Sequence, residues 1–185
     1  MKRIILLLAL AVFVAIGAGA QDKKERKLTK QERKALEARM DSLMSARARQ
    51  AVYDTAFVVE ADEVTFKRGY TAHVTSDTNF IAVCGGEAVV QVAFNVPWPG
   101  FNGLGGITVD GYINKYERTE DEKGNVYVQM SVNGRAISAQ VFITLWADTD
   151  EATVSVQQNF YSGRITLNGK VVPVGESRVF KATAI

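Results

Sequence analysis

The sequence predicts an all-β protein, an antiparallel sandwich or flattened barrel of about 8–10 strands, preceded by one N-terminal amphipathic α-helix. Three observations lead there. After Asp54 the spacing of apolar residues changes from a helical period of about 3.6 to an alternation of 2. Turn residues recur at short intervals through the rest of the chain, and short connections pair neighbouring strands antiparallel. No helical pattern recurs between the strands, which excludes parallel βαβ architectures.

The N-terminus reads as a cleavable signal peptide over residues 1–20. Lys2 and Arg3 precede the apolar run Ile4–Ile16, and Ala18-Gly19-Ala20 supplies the small residues a signal peptidase accepts. The run is shorter than the ~20 residues that span a bilayer, and charged residues begin at Asp22, so no stable transmembrane segment is expected after cleavage. Gln21 stands where a lipoprotein would place Cys. The protein is therefore expected to be exported across a membrane.

Residues 21–52 form a charged leader and a helix. Thr29-Lys30-Gln31-Glu32 fits a capping box, in which hydroxyl and carboxylate reciprocally satisfy free N–H groups at a helix start. Good helix formers follow to about Val52, with neither Gly nor Pro. Leu36, Met40, Leu43 and Met44 share one face, which is expected to lie against the β domain. Arg33 and Arg47 interrupt the heptad, so a coiled coil is not expected and a monomer is.

Residues 53–185 form the single β domain. Strands are expected near 56–60, 64–67, 78–83, 87–95, 107–117, 125–132, 136–146, 152–161, 164–167 and 177–182. The turns between them include Gly85-Gly86, Glu122-Lys123-Gly124-Asn125, and the two-residue hairpin types Asn133-Gly134 and Asn168-Gly169. A lipocalin barrel would announce itself by Gly-x-Trp near its first strand; the absence of that signal tilts the reading towards a sandwich. The connection Asn95–Gly106 stands apart. It holds two of the three prolines and four glycines, with Trp98, Phe101 and Leu104 spaced along it, and structureless loops of this length are often functional.

Charge and cysteine content narrow the chemistry. Removing Lys2 and Arg3 leaves 20 basic and 20 acidic residues, with residues 21–50 at +5 and residues 51–185 at −5. The β domain therefore offers no basic face, and nucleic acid is excluded as a partner. Cys84 is the only cysteine, so no internal disulfide exists; it reads as a small buried hydrophobe. His73 is the only histidine and reads as a solvated strand-end residue, which rules out multi-histidine metal sites. Three acidic clusters, Asp62-Glu63, Glu120-Asp121-Glu122 and Asp148 with Asp150-Glu151, fall where turns are expected and read as solvated. Gly103-Leu104-Gly105-Gly106 runs into a strand rather than a helix, so it is no phosphate cradle; turns or close backbone approach account for it. No metal or cofactor is expected.

The string Phe57-Val58-Val59-Glu60-Ala61-Asp62, then Thr78-Asn79-Phe80, Gln91, Gly103-x-Gly105-Gly106-Ile107-Thr108-x-x-Gly111 and Thr166-Leu167-x-Gly169 resemble an uncharacterised bacterial family. That family is domain of unknown function 4251, and the resemblance runs from about Phe57 to the end. It implies an exported, envelope-associated β domain in the periplasm of a Gram-negative cell, with the extracellular space as the alternative, and assigns no activity.

The best reading of function is a non-catalytic envelope protein that binds a ligand or partner through the 95–106 loop and the adjoining sheet. Trp98, Phe101, Asn102 and Leu104 are the candidate contacts. Pro97 and Pro99 restrict the backbone around Trp98 and would present its ring at low entropic cost, though a ring folded back as a plug is the competing arrangement. The alternative is a structural or assembly protein of the envelope acting through its basic helix, and a carboxylate-based hydrolase comes third. Intact mass of the exported protein is expected to lack residues 1–20 and to carry no lipid; a mass that retains them would refute cleavage after Ala20.

Overall fold

The computed structural model describes residues 29–66, 69–93, 106–135, 137–159 and 164–179. Two compact units divide the chain, Met1–Leu36 and Glu37–Ile185, and the strands described all belong to the second. The helix α1 spans Lys30–Tyr53 and begins as the capping box predicts. Thr29 N–H donates to Glu32 Oε2 at 2.7 Å, and Glu32 N–H donates to Thr29 Oγ1 at 3.2 Å. The Thr29 contacts draw the Glu32 carboxyl below its usual range. The helix ends through Thr55, a non-glycine residue at φ 52°, which turns the chain into the first strand.

Nine strands follow: β1 Ala56–Thr65, β2 Thr71–His73, β3 Phe80–Cys84, β4 Glu87–Val92, β5 Ile107–Glu120, β6 Val126–Gly134, β7 Ser138–Leu145, β8 Glu151–Gln158 and β9 Arg164–Pro173. From β3 to β9 each pairs antiparallel with the next. The sheet then closes, because β9 pairs along β1 from Phe57↔Pro173 to Thr65↔Thr166. The result is an eight-stranded barrel and not a sandwich. β2 is the ninth strand. It pairs with Glu63–Thr65 of β1, beyond Glu60 where the β3 pairing stops.

Alternation puts Phe57, Val59, Ile81, Val90, Val128, Met130, Val141, Ile143, Val154 and Leu167 into one buried cluster. An eight-stranded barrel has an interior that side chains of this size fill. Polar residues take the other face, as in Tyr127, Gln129 and Ser131 between the buried Val126, Val128, Met130 and Val132.

Several expectations are corrected. Residues 56–65 form one strand, because a bulge lies between Ala61 and Glu63 and shifts the alternation by one. Asn168-Gly169 is inside β9 and is no turn, and Asn133-Gly134 ends β6 with the turn after it. Residues 177–179 are not strand, and the rest of that expected element lies outside the described residues. Cys84 is exposed, since it ends β3 at the Gly85-Gly86 turn. Asp62 and Glu63 lie in a strand. The turn at Glu122–Asn125 is present, with Gly124 at φ 87°. It is tied by Asp121, whose carboxylate accepts from Asn125 Nδ2 and N–H, Tyr127 OH and Lys123 N–H. These bonds, the Asn125 side chain foremost, hold the Asp121 carboxyl down at about 2.

The helix departs most from expectation. Met40, Leu43 and Met44 are 45%, 59% and 40% exposed, so this part of the apolar stripe does not lie on the sheet. Only Ala48, Ala51 and Val52 join the core. They cap the barrel end where β5 overhangs, and side chains of β5 clasp them. Tyr116 OH donates to the Val52 carbonyl at 3.2 Å, and Arg118 donates to the Tyr53 carbonyl at 3.1 Å. The Arg118 guanidinium also lies 3.8 Å from the Tyr53 ring centroid. These donors satisfy carbonyls that a helix C-terminus leaves unpaired. Arg49 donates to the Gly124 carbonyl and pairs with Glu120, which accepts the Tyr53 hydroxyl at 2.6 Å.

A chain shortened to begin at Ser42 is expected to unfold within about 0.5 kcal/mol of one beginning at Thr29, since residues 29–41 are all exposed. Starting at Tyr53 removes Ala48, Ala51 and Val52, and should cost at least about 1.5 kcal/mol, the lower figure for one fully buried Val. Urea unfolding of the three chains checks this; equal midpoints for all three would show that the cap adds nothing.

Candidate binding site

The residues proposed from the sequence, Trp98, Phe101, Asn102 and Leu104, lie outside the described residues. The base of their loop is described. Val92 and Ile107 pair across it, making it the β4–β5 connection at the barrel end opposite the helix cap. Three buried polar side chains gather at this base: Asn79, Gln91 and Thr108, each at most 2% exposed. Asn79 Oδ1 accepts the Ala93 N–H at 2.8 Å, while its Nδ2 donates to the Thr75 carbonyl at 3.0 Å and Thr78 Oγ1 at 3.2 Å. Gln91 Nε2 donates to the Thr78 carbonyl at 3.1 Å. Gln91 and Thr108 face each other across β4 and β5. The Ala61 N–H donates to the Asn79 carbonyl at 2.9 Å, joining the network to β1. The network thus fixes the residue where the loop leaves the barrel, because a buried amide is costly unless bonded.

A second feature lies on the outer wall. A groove of about 410 Å³ crosses β1, β2, β8 and β9, with Trp146 at one side and His73 at the other. Its floor is a line of hydrogen bonds running in one direction. Trp146 Nε1 donates to Thr153 Oγ1 at 3.3 Å, Thr153 Oγ1 donates to Asn168 Oδ1 at 3.0 Å, and Asn168 Nδ2 donates to Glu63 Oε1 at 2.9 Å. Register produces this line, since Glu63 pairs with His73 and Asn168, and Asn168 pairs with Thr153. Asp62, Glu151 and Lys170 complete the rim, with Lys170 bound to Asp150 at 3.1 Å. The apolar strand expected over 136–146 would bury Trp146, its last residue, but it is 45% exposed because β7 ends at Leu145 and the ring falls on the outer wall. His73 is exposed at the end of β2, as expected. Among the described residues, no three His, Cys, Asp or Glu side chains group to hold a metal ion.

The chain matches the family described as Domain of unknown function (DUF4251) over residues 39–171. Its fold is similar to the crystal structure of a DUF4251 family protein from Bacteroides eggerthii DSM 20697. The two are 42% identical with a TM-score of 0.69, over 77% of this chain and 96% of that one. The chain belongs to the DUF4251 family. Among curated proteins, none matches it.

In this DUF4251 barrel the described glycines that carried the resemblance, Gly106, Gly111 and Gly169, have steric roles. A Cβ at Gly106 would strike the Val92 carbonyl oxygen, and one at Gly111 would strike that of Asn133. Asn79, Gln91 and Thr108 carry the loop-base network. The sequence reading found these residues without their role, since neither their shared burial nor their juxtaposition has a periodic signature. It missed the groove, although the alternation Arg164, Thr166, Asn168, Lys170 against Ile165, Leu167, Val171 is the signal of a polar outer face.

Asn79→Ala leaves the Ala93 N–H and the Thr75 carbonyl without these partners and should lower the unfolding free energy by about 1–3 kcal/mol. The Ala93 amide should also exchange with solvent faster. Unchanged stability and exchange would show that the loop base is held without Asn79.

Proposed function

We propose that this DUF4251 protein is an exported, non-catalytic binding protein of the cell envelope, which engages a ligand or partner through the 95–106 loop and the sheet beside it. The observation that supports this most is the loop base. Three buried polar side chains, drawn from β4, β5 and the residue before β3, converge where a Pro- and Gly-rich aromatic loop leaves the barrel. A loop held at its root by a rigid scaffold is the usual setting for recognition residues. The N-terminal Lys2-Arg3, apolar and Ala18-Gly19-Ala20 pattern supports export to the periplasm.

A second reading has its own support. The apolar helix face at Met40, Leu43 and Met44 is exposed beside basic residues, as an assembly protein engaging a neighbour through its helix would require.

Trp98 tests the leading reading. Because Trp146 is exposed, its emission is also open to quenching, so the measurement uses a Trp146→Phe background in which Trp98 alone emits. Ready quenching by acrylamide is expected, together with a change in stability on Trp98→Ala within about 0.5 kcal/mol. Poor quenching and a loss of about 3–5 kcal/mol would make Trp98 a plug and remove the loop as the binding element.

A further inference from the structure

The outer-wall groove is lined by none of the three loop-base side chains, and its chemistry is specific. Each donor along its floor is already committed in one direction, from the Trp146 indole through Thr153 and Asn168 to Glu63. One end of that line is an aromatic ring and the other a carboxylate. The indole N–H bond holds the ring of Trp146 in place while leaving it nearly half exposed. What remains unused at the Glu63 end is acceptor capacity: an ionised carboxylate has about four lone-pair sites, of which Asn168 takes one in the bonds described. Asp62, beside it in the bulge, adds a second carboxylate there. Among the described residues, the rim carries Asp62, Glu63 and Glu151 against one fixed cation, Lys170, which is bound to Asp150. The same sign holds more widely, since residues 51–185 carry a net charge of −5.

We propose that this groove is a binding site for a small organic cation, with its ammonium or guanidinium group on Glu63 and Asp62 and its apolar body against the Trp146 ring. Anions are repelled by the rim, and a neutral molecule gains only the ring contact. The span sets the ligand's size. Glu63 and Thr153 lie two strands apart, on β1 and β8, or about 10 Å at the usual strand spacing. A volume of about 410 Å³ is within the range of small-molecule clefts. Ring and carboxylate together favour an amine whose carbon skeleton reaches from one to the other, its cation on the carboxylates and its apolar part stacked on the ring.

Tyramine, 4-ethylphenol and 4-hydroxyphenylacetate share a phenol ring and differ in carrying a cation, no charge or an anion, and so separate these contributions. Each is titrated into full-length mature protein while the indole N–H resonance of Trp146, assigned with Trp146→Phe, is followed by NMR. Tyramine should shift this resonance saturably. The neutral analogue should bind at least about fivefold more weakly, the anion not detectably, and 0.5 M salt should weaken tyramine alone, as screening of an exposed charge contact requires. Glu63→Gln, which keeps the side-chain shape, should weaken tyramine to the level of 4-ethylphenol while the spectrum stays dispersed. Equal binding of tyramine and 4-ethylphenol, indifference of tyramine to salt, or no shift up to about 20 mM tyramine would each overturn the proposal. Any of these failures would leave the loop reading untouched, because neither Trp98 nor the loop base takes part.

Discussion

The pairing of β1 with β9 is the contact on which the rest of the protein depends. Without it the sheet would be an open meander with two long unpaired edges, a template for association with other chains. Closure removes those edges and gives every inward side chain a neighbour on all sides. It also imposes a problem at Ala61-Asp62-Glu63-Val64. Strict alternation from Phe57 would point Asp62 outward, Glu63 into an apolar core and Val64 into water. One extra residue in β1 resolves this, since Ala61 pairs with Gly169 and Glu63 with Asn168, the next residue along. The phase shifts, Val64 returns to the core and both carboxylates stay outside. On the partner strand the backbones approach so closely that a Cβ at Gly169 would meet the Glu60 carbonyl oxygen. Bulge and glycine are one device, and the outer groove is its consequence, because it aligns Glu63 with Asn168 and Thr153.

The same device explains where the sequence misled. A strand whose alternation slips by one looks like two short strands, which is how 56–60 and 64–67 arose. Asn-Gly within a strand looks like a hairpin turn, although here the glycine is required by the bulge opposite. Both misreadings concern long-range pairing, which local spacing does not encode. Features with local causes were legible: the capping box at Thr29 and Glu32, the turns at Gly85-Gly86 and Gly124, the antiparallel class and the long β4–β5 connection. Sandwich against barrel was not, because the two differ mainly in whether the last strand finds the first. The residues named for binding fall in a connection whose base, but not whose body, is described, and Asn168, which lines the groove, was read as a turn.

The helix shows how far an amphipathic pattern can be trusted. The stripe of Leu36, Met40, Leu43 and Met44 is genuine as periodicity, but periodicity specifies only that a helix has an apolar face. It does not specify what covers that face. The residues that are covered, Ala48, Ala51 and Val52, are small and would not draw the eye in a search for hydrophobic anchors. Small size suits the place, since a helix turn seated over the end of a filled barrel must approach strand ends closely. The fixing contacts come from the overhang of β5, through Tyr116, Arg118 and Glu120. Each of the exposed ion pairs among them contributes little alone, whereas the hydrogen bonds to the carbonyls of Val52 and Tyr53 satisfy groups that the helix end leaves open.

Cap, core and loop base therefore divide the barrel into a closed end and a working end. The helix covers the end formed by the start of β1, the β3–β4 turn and the close of β9. At the opposite end the β4–β5 loop emerges from the Asn79, Gln91 and Thr108 network. Most of the buried side chains serve to make this frame rigid, and both the loop base and the groove are built on it, since the Ala61 N–H ties Asn79 to β1 one residue before Asp62. Substitutions at Asn79, in the loop base, and at Thr153, in the groove, should still act additively on stability, because the two side chains share no hydrogen-bond partner in the bonds described.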